Sequence, residues 1–178
     1  MCSQYPALYI NLARATDRQQ AFEAQADFAA CGMHRLEAVD GQTLPKVAGA
    51  KLKRGQQGCI QSHMHAWEKA RYSAATSPYT VVFEDDFQLD DYASRIPQIL
   101  AEAEHACNGQ PADVVWLNRT IVEGEPSTEH KLTPQLHDAA LPFYGMHAYA
   151  ISKAGAATPA ALQARPPPAA QPQQPQQP

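Results

Sequence analysis

Short apolar runs alternate with stretches of helical spacing along most of this chain, and no other feature constrains the fold as strongly. Apolar and β-branched runs of this kind are typical of buried strands. The predicted strands cover residues 7–12, 35–40, 79–83, 113–117 and 143–151. Apolar residues three or four apart predict helices between the strands. The predicted helices cover residues 17–30, 57–75 and 91–106, and a short fourth one follows Ser152 and ends near residue 161.

This order predicts an α/β fold, a Rossmann-like α/β/α sandwich around a mostly parallel central sheet. Ligands of such sheets bind at the carboxyl ends of the strands. Asp40 and the three acidic residues 84–86 both end predicted strands, so they should share that edge. The sequence contains neither Gly-x-Gly-x-x-Gly nor Gly-x-x-x-x-Gly-Lys, so a dinucleotide site and a P-loop are unsupported.

Local signals refine the first two helices. Thr16 is the candidate N-cap of the first helix, and Gly32 follows its predicted end. Gly58, near the start of the second helix, allows a neighbouring backbone to approach closely. The predicted apolar stripe of the second helix consists of Ile60, Met64, Trp67 and Ala70 or Arg71.

Composition indicates one globular domain, residues 1–162, with a tail. Hydrophobic residues make up 44% of the chain and charged residues 18%. Residues 163–178 are mostly proline and glutamine with little to bury, which predicts a disordered, polyproline-like tail. The net charge of −4, with acidic and basic residues interspersed, argues against a nucleic-acid partner.

The chain shows no sign of a membrane span or a secretory signal. No apolar run is long enough to cross a bilayer, and the N-terminus lacks a basic segment followed by an apolar one. We therefore expect a cytoplasmic protein without a transmembrane segment, for which peripheral association with a membrane stays open.

Four cysteines stand at positions 2, 31, 59 and 107, and no pair has the spacing of a zinc knuckle or a redox Cys-x-x-Cys. In a reducing compartment they are predicted to be free thiols, with Cys31 and Cys59 as small core residues.

The most informative motif is the β-prone run of residues 80–83 followed directly by Glu84, Asp85 and Asp86. A buried strand would hold these carboxylates rigidly at its exposed end, where they repel one another unless a cation is bound. Carboxylate oxygens suit Mg²⁺ or Mn²⁺. Strand alternation places Glu84 and Asp86 on one side and Asp85 on the other. A solvated acidic turn is the alternative interpretation.

The second helix, which precedes the three acidic residues in the chain, carries two histidines. His63 and His65 do not share a helix face, so this pair is not expected to hold a metal. A hydrogen bond from His63 to Asp40 or to the acidic cluster is the favoured role.

Five segments, in order, carry a family resemblance: residues 9–18, 37–41, 58–67, 82–86 and, more weakly, 145–156. On these segments the chain resembles glycosyltransferase family 25, which includes bacterial lipooligosaccharide galactosyltransferases and collagen galactosyltransferases. The resemblance implies a GT-A-like fold, a nucleotide-sugar donor such as UDP-galactose, a divalent metal (Mn²⁺ or Mg²⁺) and a saccharide acceptor. The implied reaction is inverting transfer of a hexose, galactose in many members, in the biosynthesis of lipopolysaccharide, lipooligosaccharide or another glycan.

The resemblance also assigns roles to residues. Glu84 and Asp86 would bind the metal. The donor-binding residues would be Asn11, Arg14, Arg18, Asp40, Ser62 and His63. Support of the metal site is the alternative role of Asp40, and a surface ion pair is the alternative for Arg18. Arg14 and Arg18 are four apart, which suits one helical face directed at phosphate.

The catalytic base would be Asp85, and Glu123, Glu125 and His147 remain alternatives. Family members continue beyond the fifth segment with further acidic residues, whereas residues 160–178 here hold no Asp, Glu or His. A relative that binds nucleotide sugar or metal without turnover is therefore the alternative function.

Overall fold

The computed structural model describes residues 4–25, 28, 32–89, 92–117, 130–131, 137–138 and 147–158. Strands and helices follow one another in the predicted order. The elements are β1 (Ala7–Asn11), α1 (Thr16–Glu23), β2 (His34–Glu37), α2 (Arg54–Arg71), β3 (Tyr79–Glu84), α3 (Tyr92–Ala106), β4 (Val114–Trp116), β5 (His130–Lys131), β6 (His137–Asp138), β7 (Ala148–Ser152) and a 3₁₀ turn (Gly155–Ala157).

Five of the strands form one sheet in the order β2-β1-β3-β7-β4, and β5 pairs with β6 separately. β1 is parallel to β2 and to β3, whereas β7 is antiparallel to β3 and to β4. β4 therefore runs in the same direction as β1, β2 and β3. This arrangement confirms the predicted α/β fold with a mostly parallel central sheet, and β7 is its one reversed strand among the described residues.

Strand alternation divides the core between the two faces of the sheet. On β3, the side chains of Tyr79, Val81 and Phe83 join one hydrophobic cluster, and Val82 joins the other. The first cluster includes residues of α1 and α3, and the second includes residues of α2. Helices thus cover both faces, as a Rossmann-like sandwich requires.

Of the predicted apolar stripe of α2, Ala70 is fully buried, whereas the large residues are not. Ile60 is 39% exposed, and Met64 and Trp67 are half-buried. The buried face of α2 instead consists of Gly58, Ser62, His63, Ala66 and Ala70. Small side chains face the sheet because α2 packs closely against it, and that closeness leaves no room for a row of large residues.

Replacing Gly58 by alanine is expected to lower the free energy of unfolding by about 1–3 kcal/mol. A Cβ at Gly58 would lie 2.6 Å from the carbonyl oxygen of Val39 and 2.7 Å from the amide nitrogen of Gly41, and both are backbone atoms that cannot move aside cheaply. Gly55 is the matched control, because a Cβ there meets nothing within 4 Å. Gly55→Ala should leave stability unchanged or raise it by up to about 1 kcal/mol. Urea denaturation measures both, and equal stability of the two variants would contradict the close approach.

Several predicted boundaries are corrected. α1 starts at Thr16 after Ala15, without a side-chain cap, so Thr16 is not the N-cap, and the helix ends at Glu23. α2 ends at Arg71 rather than at residue 75. The predicted helix after Ser152 is only a 3₁₀ turn. The N-cap of that turn is Ala154 rather than Ser152, although the Ser152 hydroxyl accepts a hydrogen bond from the Gly155 amide at 2.9 Å.

Cys59 and Cys107 are free thiols, as predicted, but both are exposed, so the prediction of Cys59 as a core residue is wrong. The predictions for Cys31, for Glu123 and Glu125, and for the tail at residues 163–178 concern positions outside the described residues. None of the helices in the described ranges has the length and apolar character that crossing a bilayer requires.

Candidate active site

The three acidic residues 84–86, here called the acidic turn, stand where β3 ends. Glu84 is the last residue of β3, and a turn closes when the Phe87 amide donates to the Glu84 carbonyl at 3.1 Å. The side chains of Glu84 and Asp86 both approach His147, while Asp85 contacts Asn11 and Arg18. The predicted division of the three carboxylates between two sides therefore agrees with these contacts.

Asp85 is buried, and protein groups engage both of its oxygens. Asn11 Nδ2 donates to Oδ2 at 2.7 Å, and an Arg18 guanidinium nitrogen lies 3.0 Å from Oδ1. Burial raises the pKa of Asp85, while Asn11 and Arg18 act in the opposite direction. In this arrangement Asp85 holds β1, α1 and β3 together, and its role as catalytic base stays a prediction.

Asn11 and Ser62 are polar residues that are almost completely buried. Asn11 is 1% exposed, and its amide also donates to the Ala15 carbonyl at 3.1 Å and accepts from Arg35 Nε at 2.9 Å. Ser62 is also 1% exposed; its hydroxyl donates to the Gly58 carbonyl and accepts from the Val39 amide. These contacts position backbone, and donor contacts by either residue remain predictions.

Arg14 and Asp40 form an exposed ion pair with 2.9 Å between Nε and Oδ2. The hydrogen bond from Arg14 holds the pKa of Asp40 below its usual range. Arg14 precedes α1, which starts at Thr16, so Arg14 and Arg18 do not share a helical face as expected. Both arginines nevertheless line one cleft.

His63 is buried between Glu84 and Tyr149. Its Nε2 lies 3.2 Å from Glu84 Oε1 and its Nδ1 lies 3.0 Å from the Tyr149 hydroxyl, which also accepts from Trp67 Nε1 at 2.9 Å. An ionised carboxylate can only accept, so we assign the imidazole proton to Nε2, and Tyr149 then donates to Nδ1. Of the two predicted partners of His63, the acidic cluster is the one that it contacts.

This hydrogen-bonded chain favours the ionised form of Glu84. The bond from His63 holds the pKa of Glu84 below its usual range, against the opposing effect of burial. Burial keeps the pKa of Tyr149 well above its usual range, so the hydroxyl stays protonated. Trp67, Tyr149 and His63 thus orient one oxygen of Glu84 and leave Oε2 directed toward His147.

Glu84, Asp86 and His147 form a group that fits a divalent cation, here called the metal trio. Their nearest ligand atoms all lie within 4.8 Å of one another. His147 Nδ1 is 3.1 Å from Asp86 Oδ1 and 3.9 Å from Glu84 Oε2. Neighbouring ligands of an octahedral ion with bonds of about 2.1 Å lie about 3 Å apart, so small side-chain rotations would suffice. Glu84 and Asp86 as metal ligands stay predictions.

A cleft of about 430 Å³ opens beside the acidic turn at the carboxyl ends of β1 and β3. Its polar lining brings together residues from distant parts of the chain. They are Arg14, Arg18, Asp40, Gln42, Arg54, Cys59, Ser62, His63, Glu84 and Asp85. Three arginines beside several carboxylates suit a ligand that carries both phosphate and hydroxyl groups.

Comparison with known proteins places this site in a family. Residues 5–159 match the sequence model described as "Glycosyltransferase family 25 (LPS biosynthesis protein)". This chain belongs to glycosyltransferase family 25. The match covers the whole sheet and both sides of the cleft, so the predicted resemblance is confirmed.

Individual relatives of this family 25 domain carry names that bear on activity. A protein of Bos taurus named "Probable inactive glycosyltransferase 25 family member 3" is 27% identical over 165 residues, covering 83% of this chain and 27% of the relative. The Homo sapiens protein "Inactive glycosyltransferase 25 family member 3" gives the same identity and coverage. In Rattus norvegicus a "Probable inactive" member 3 is 27% identical over 139 residues. The chain spans about a quarter of the length of these curated relatives.

Sequence reasoning missed several residues of the family 25 site. Tyr149 and Trp67 support His63, and Cys59 lines the cleft. From the sequence, His147 was named only as a candidate base, and in the structure it stands beside the carboxylates of Glu84 and Asp86. It does so because β7 pairs antiparallel with β3, and the Glu84 amide donates to the His147 carbonyl at 2.8 Å. Sequence periodicity does not encode that pairing. The position of Cys59 beside His63 could have been found, because residues four apart lie on the same side of a helix.

Proposed function

We propose that this domain binds a UDP-sugar together with Mn²⁺ or Mg²⁺ and transfers the hexose, galactose by family resemblance, to a saccharide acceptor. The product would belong to lipopolysaccharide, lipooligosaccharide or another glycan. The observation that carries the proposal is the sharing of Glu84: it lines the arginine-bearing cleft and also belongs to the metal trio. A diphosphate lying between the cleft arginines and a cation at the trio would have its charge neutralised from both sides.

The donor set supports a divalent cation. Two carboxylates and one imidazole suit Mn²⁺ better than Mg²⁺, which prefers oxygen ligands. Glu84, Asp86 and His147 would hold the ion, and His63 would orient Glu84 from behind. When bound, the cation would stabilise the charge of the departing diphosphate.

The chain's own groups would do the remaining work. Arg18 has half of its side chain exposed and Arg14 slightly more, so both can reach phosphate while they keep their carboxylate partners. The acceptor hydroxyl would attack the anomeric carbon in one displacement, which inverts that centre. Its proton must pass to a group at this edge, and Asp85 is the candidate among the described residues, since His147 would be bound to the metal. We place this reaction in the cytoplasm, with peripheral membrane association.

A second candidate function is binding without turnover. It is favoured by the names of the relatives from Bos taurus, Homo sapiens and Rattus norvegicus, all of which call those proteins inactive or probably inactive. Such a domain would keep the cleft and the metal trio but would not complete the transfer.

Calorimetry with UDP-galactose tests donor binding. We expect heat of binding in the presence of Mn²⁺ and its loss when a chelator removes the metal. Absence of binding to any nucleotide sugar, with or without Mn²⁺, would contradict both candidate functions. UDP release in the presence of oligosaccharide acceptors then separates them, because only the transferase releases UDP in proportion to acceptor.

A further inference from the structure

Cys59 occupies the wall of the cleft rather than the core. It is exposed and precedes His63 by one turn of α2, so both side chains lie on the same side of that helix. The Cys59 sulfur, a His63 ring nitrogen and a Glu84 carboxylate oxygen all lie within 4.8 Å of one another. This group differs from the metal trio in two of its three members and contains a sulfur ligand.

We propose that Cys59, His63 and Glu84 form a zinc site with a fourth position open to the cleft. Zn²⁺ prefers sulfur and nitrogen with an occasional carboxylate, and three protein ligands with one open position are typical of accessible zinc sites. Two nitrogen or oxygen ligands at about 2.0–2.1 Å from a tetrahedral zinc lie about 3.3 Å apart. His63 Nε2 and Glu84 Oε1 are 3.2 Å apart, which matches that spacing.

The surroundings of His63 suit a zinc ligand. Metal-bound histidines usually donate their second ring nitrogen to a fixed acceptor, and the Tyr149 oxygen lies 3.0 Å from Nδ1. Zinc binding at Nε2 shifts the imidazole proton to Nδ1, which then donates to Tyr149. The Cys59 thiol releases its proton to solvent, since the thiolate is the ligand. The Tyr149 oxygen has two lone pairs, so it can accept from His63 and Trp67 together.

Both metal groups include Glu84, so zinc and Mn²⁺ bound together would share one carboxylate and repel each other. A zinc ion held by Cys59, His63 and Glu84 draws on the carboxylate charge that the metal trio also uses, and it occupies part of the cleft. Zinc should therefore displace Mn²⁺ and weaken donor binding, a consequence that rests on the proposed function. The zinc site itself does not depend on that function.

The test uses the full chain with Co²⁺ and Zn²⁺ as probes. Cobalt bound to a thiolate gives a near-ultraviolet charge-transfer band that oxygen and nitrogen ligands alone do not give. Cys107→Ser is the matched control, because Cys107 is also an exposed free thiol and belongs to no metal-binding group among the described residues. Because Cys59 is exposed, Cys59→Ser is expected to fold normally, and thermal unfolding checks this.

We expect the band in wild type and in Cys107→Ser, its loss in Cys59→Ser, and Zn²⁺ affinity at least about tenfold lower in Cys59→Ser. A persisting band, or Zn²⁺ affinity within twofold of wild type, would overturn the proposal.

Electron paramagnetic resonance of Mn²⁺ tests the shared ligand. Zinc should release Mn²⁺ from wild type, and Cys59→Ser should need more zinc for the same release. Binding of both ions together, each with its affinity unchanged, would overturn the competition at Glu84. If wild type binds no Mn²⁺ but shows a Cys59-dependent cobalt band, the proposed function fails and the zinc site is supported.

Discussion

Replacing Asp86 by asparagine is expected to abolish metal-dependent binding of UDP-galactose, with Mn²⁺ affinity falling by on the order of 100-fold or more. Even groups that only orient a metal ligand typically change affinity by about 10–100-fold, and Asp86 would be a ligand itself. The substitution keeps the shape of the side chain and removes one negative charge. Asp86 is 46% exposed, so its loss should leave the core intact.

Glu68→Gln is the control for Asp86→Asn, since it also removes one negative charge. Glu68 is exposed on α2 and does not line the cleft. Calorimetry with Mn²⁺, and then with UDP-galactose plus Mn²⁺, should give wild-type values for this control. Unchanged Mn²⁺ binding by Asp86→Asn would show that the metal trio does not hold the ion.

Phe83→Ala is expected to lower the free energy of unfolding by about 3–5 kcal/mol, the largest effect on stability that we predict for a single residue. Phe83 is completely buried in β3. Its ring lies 5.5 Å from that of Phe87 and 6.4 Å from that of Phe22, centroid to centroid. Truncation would leave a cavity directly beneath the acidic turn, between β3 and α1.

Tyr72→Ala is the matched aromatic control for Phe83→Ala. Tyr72 is 70% exposed, and its ring contacts only the Arg71 guanidinium among the aromatic and cationic contacts of the described residues. An exposed contact of this kind contributes about 0.5–1 kcal/mol, so the loss should stay below about 1 kcal/mol. Urea denaturation of both variants measures the difference. Similar losses would mean that Phe83 does not belong to a well-packed core.

The interior of β3 and its acidic end could be predicted because both depend on local sequence. The β-prone residues 79–83 form a strand whether or not its neighbours are known, and every one of them is buried. Period-two alternation predicted that Glu84 and Asp86 share a side, and their contacts with His147 agree although β3 ends at Glu84. The acidic turn and Asp40 lie near one edge because parallel strands carry their carboxyl ends to the same side of a sheet.

The face of α2 could not be predicted, because helical spacing is satisfied by more than one stripe. Large apolar residues indicated Ile60, Met64 and Trp67, yet the buried face includes Gly58, which packs against the backbone of residues 39–41, and Ala66. Helical spacing in the sequence indicates the face with the largest apolar residues, whereas close packing in the fold requires the face with the smallest side chains.

Sequence alone therefore determined the α/β class, the family and the position of the acidic turn, since these follow from periodicity and ordered motifs. Tertiary structure alone decided what surrounds that turn. β7 enters the sheet antiparallel beside β3, which sets His147 against Glu84 and Asp86 and brings Tyr149 to His63. These contacts join residues 61 to 86 positions apart. They depend on strand order and register, which the local pattern of a sequence does not specify.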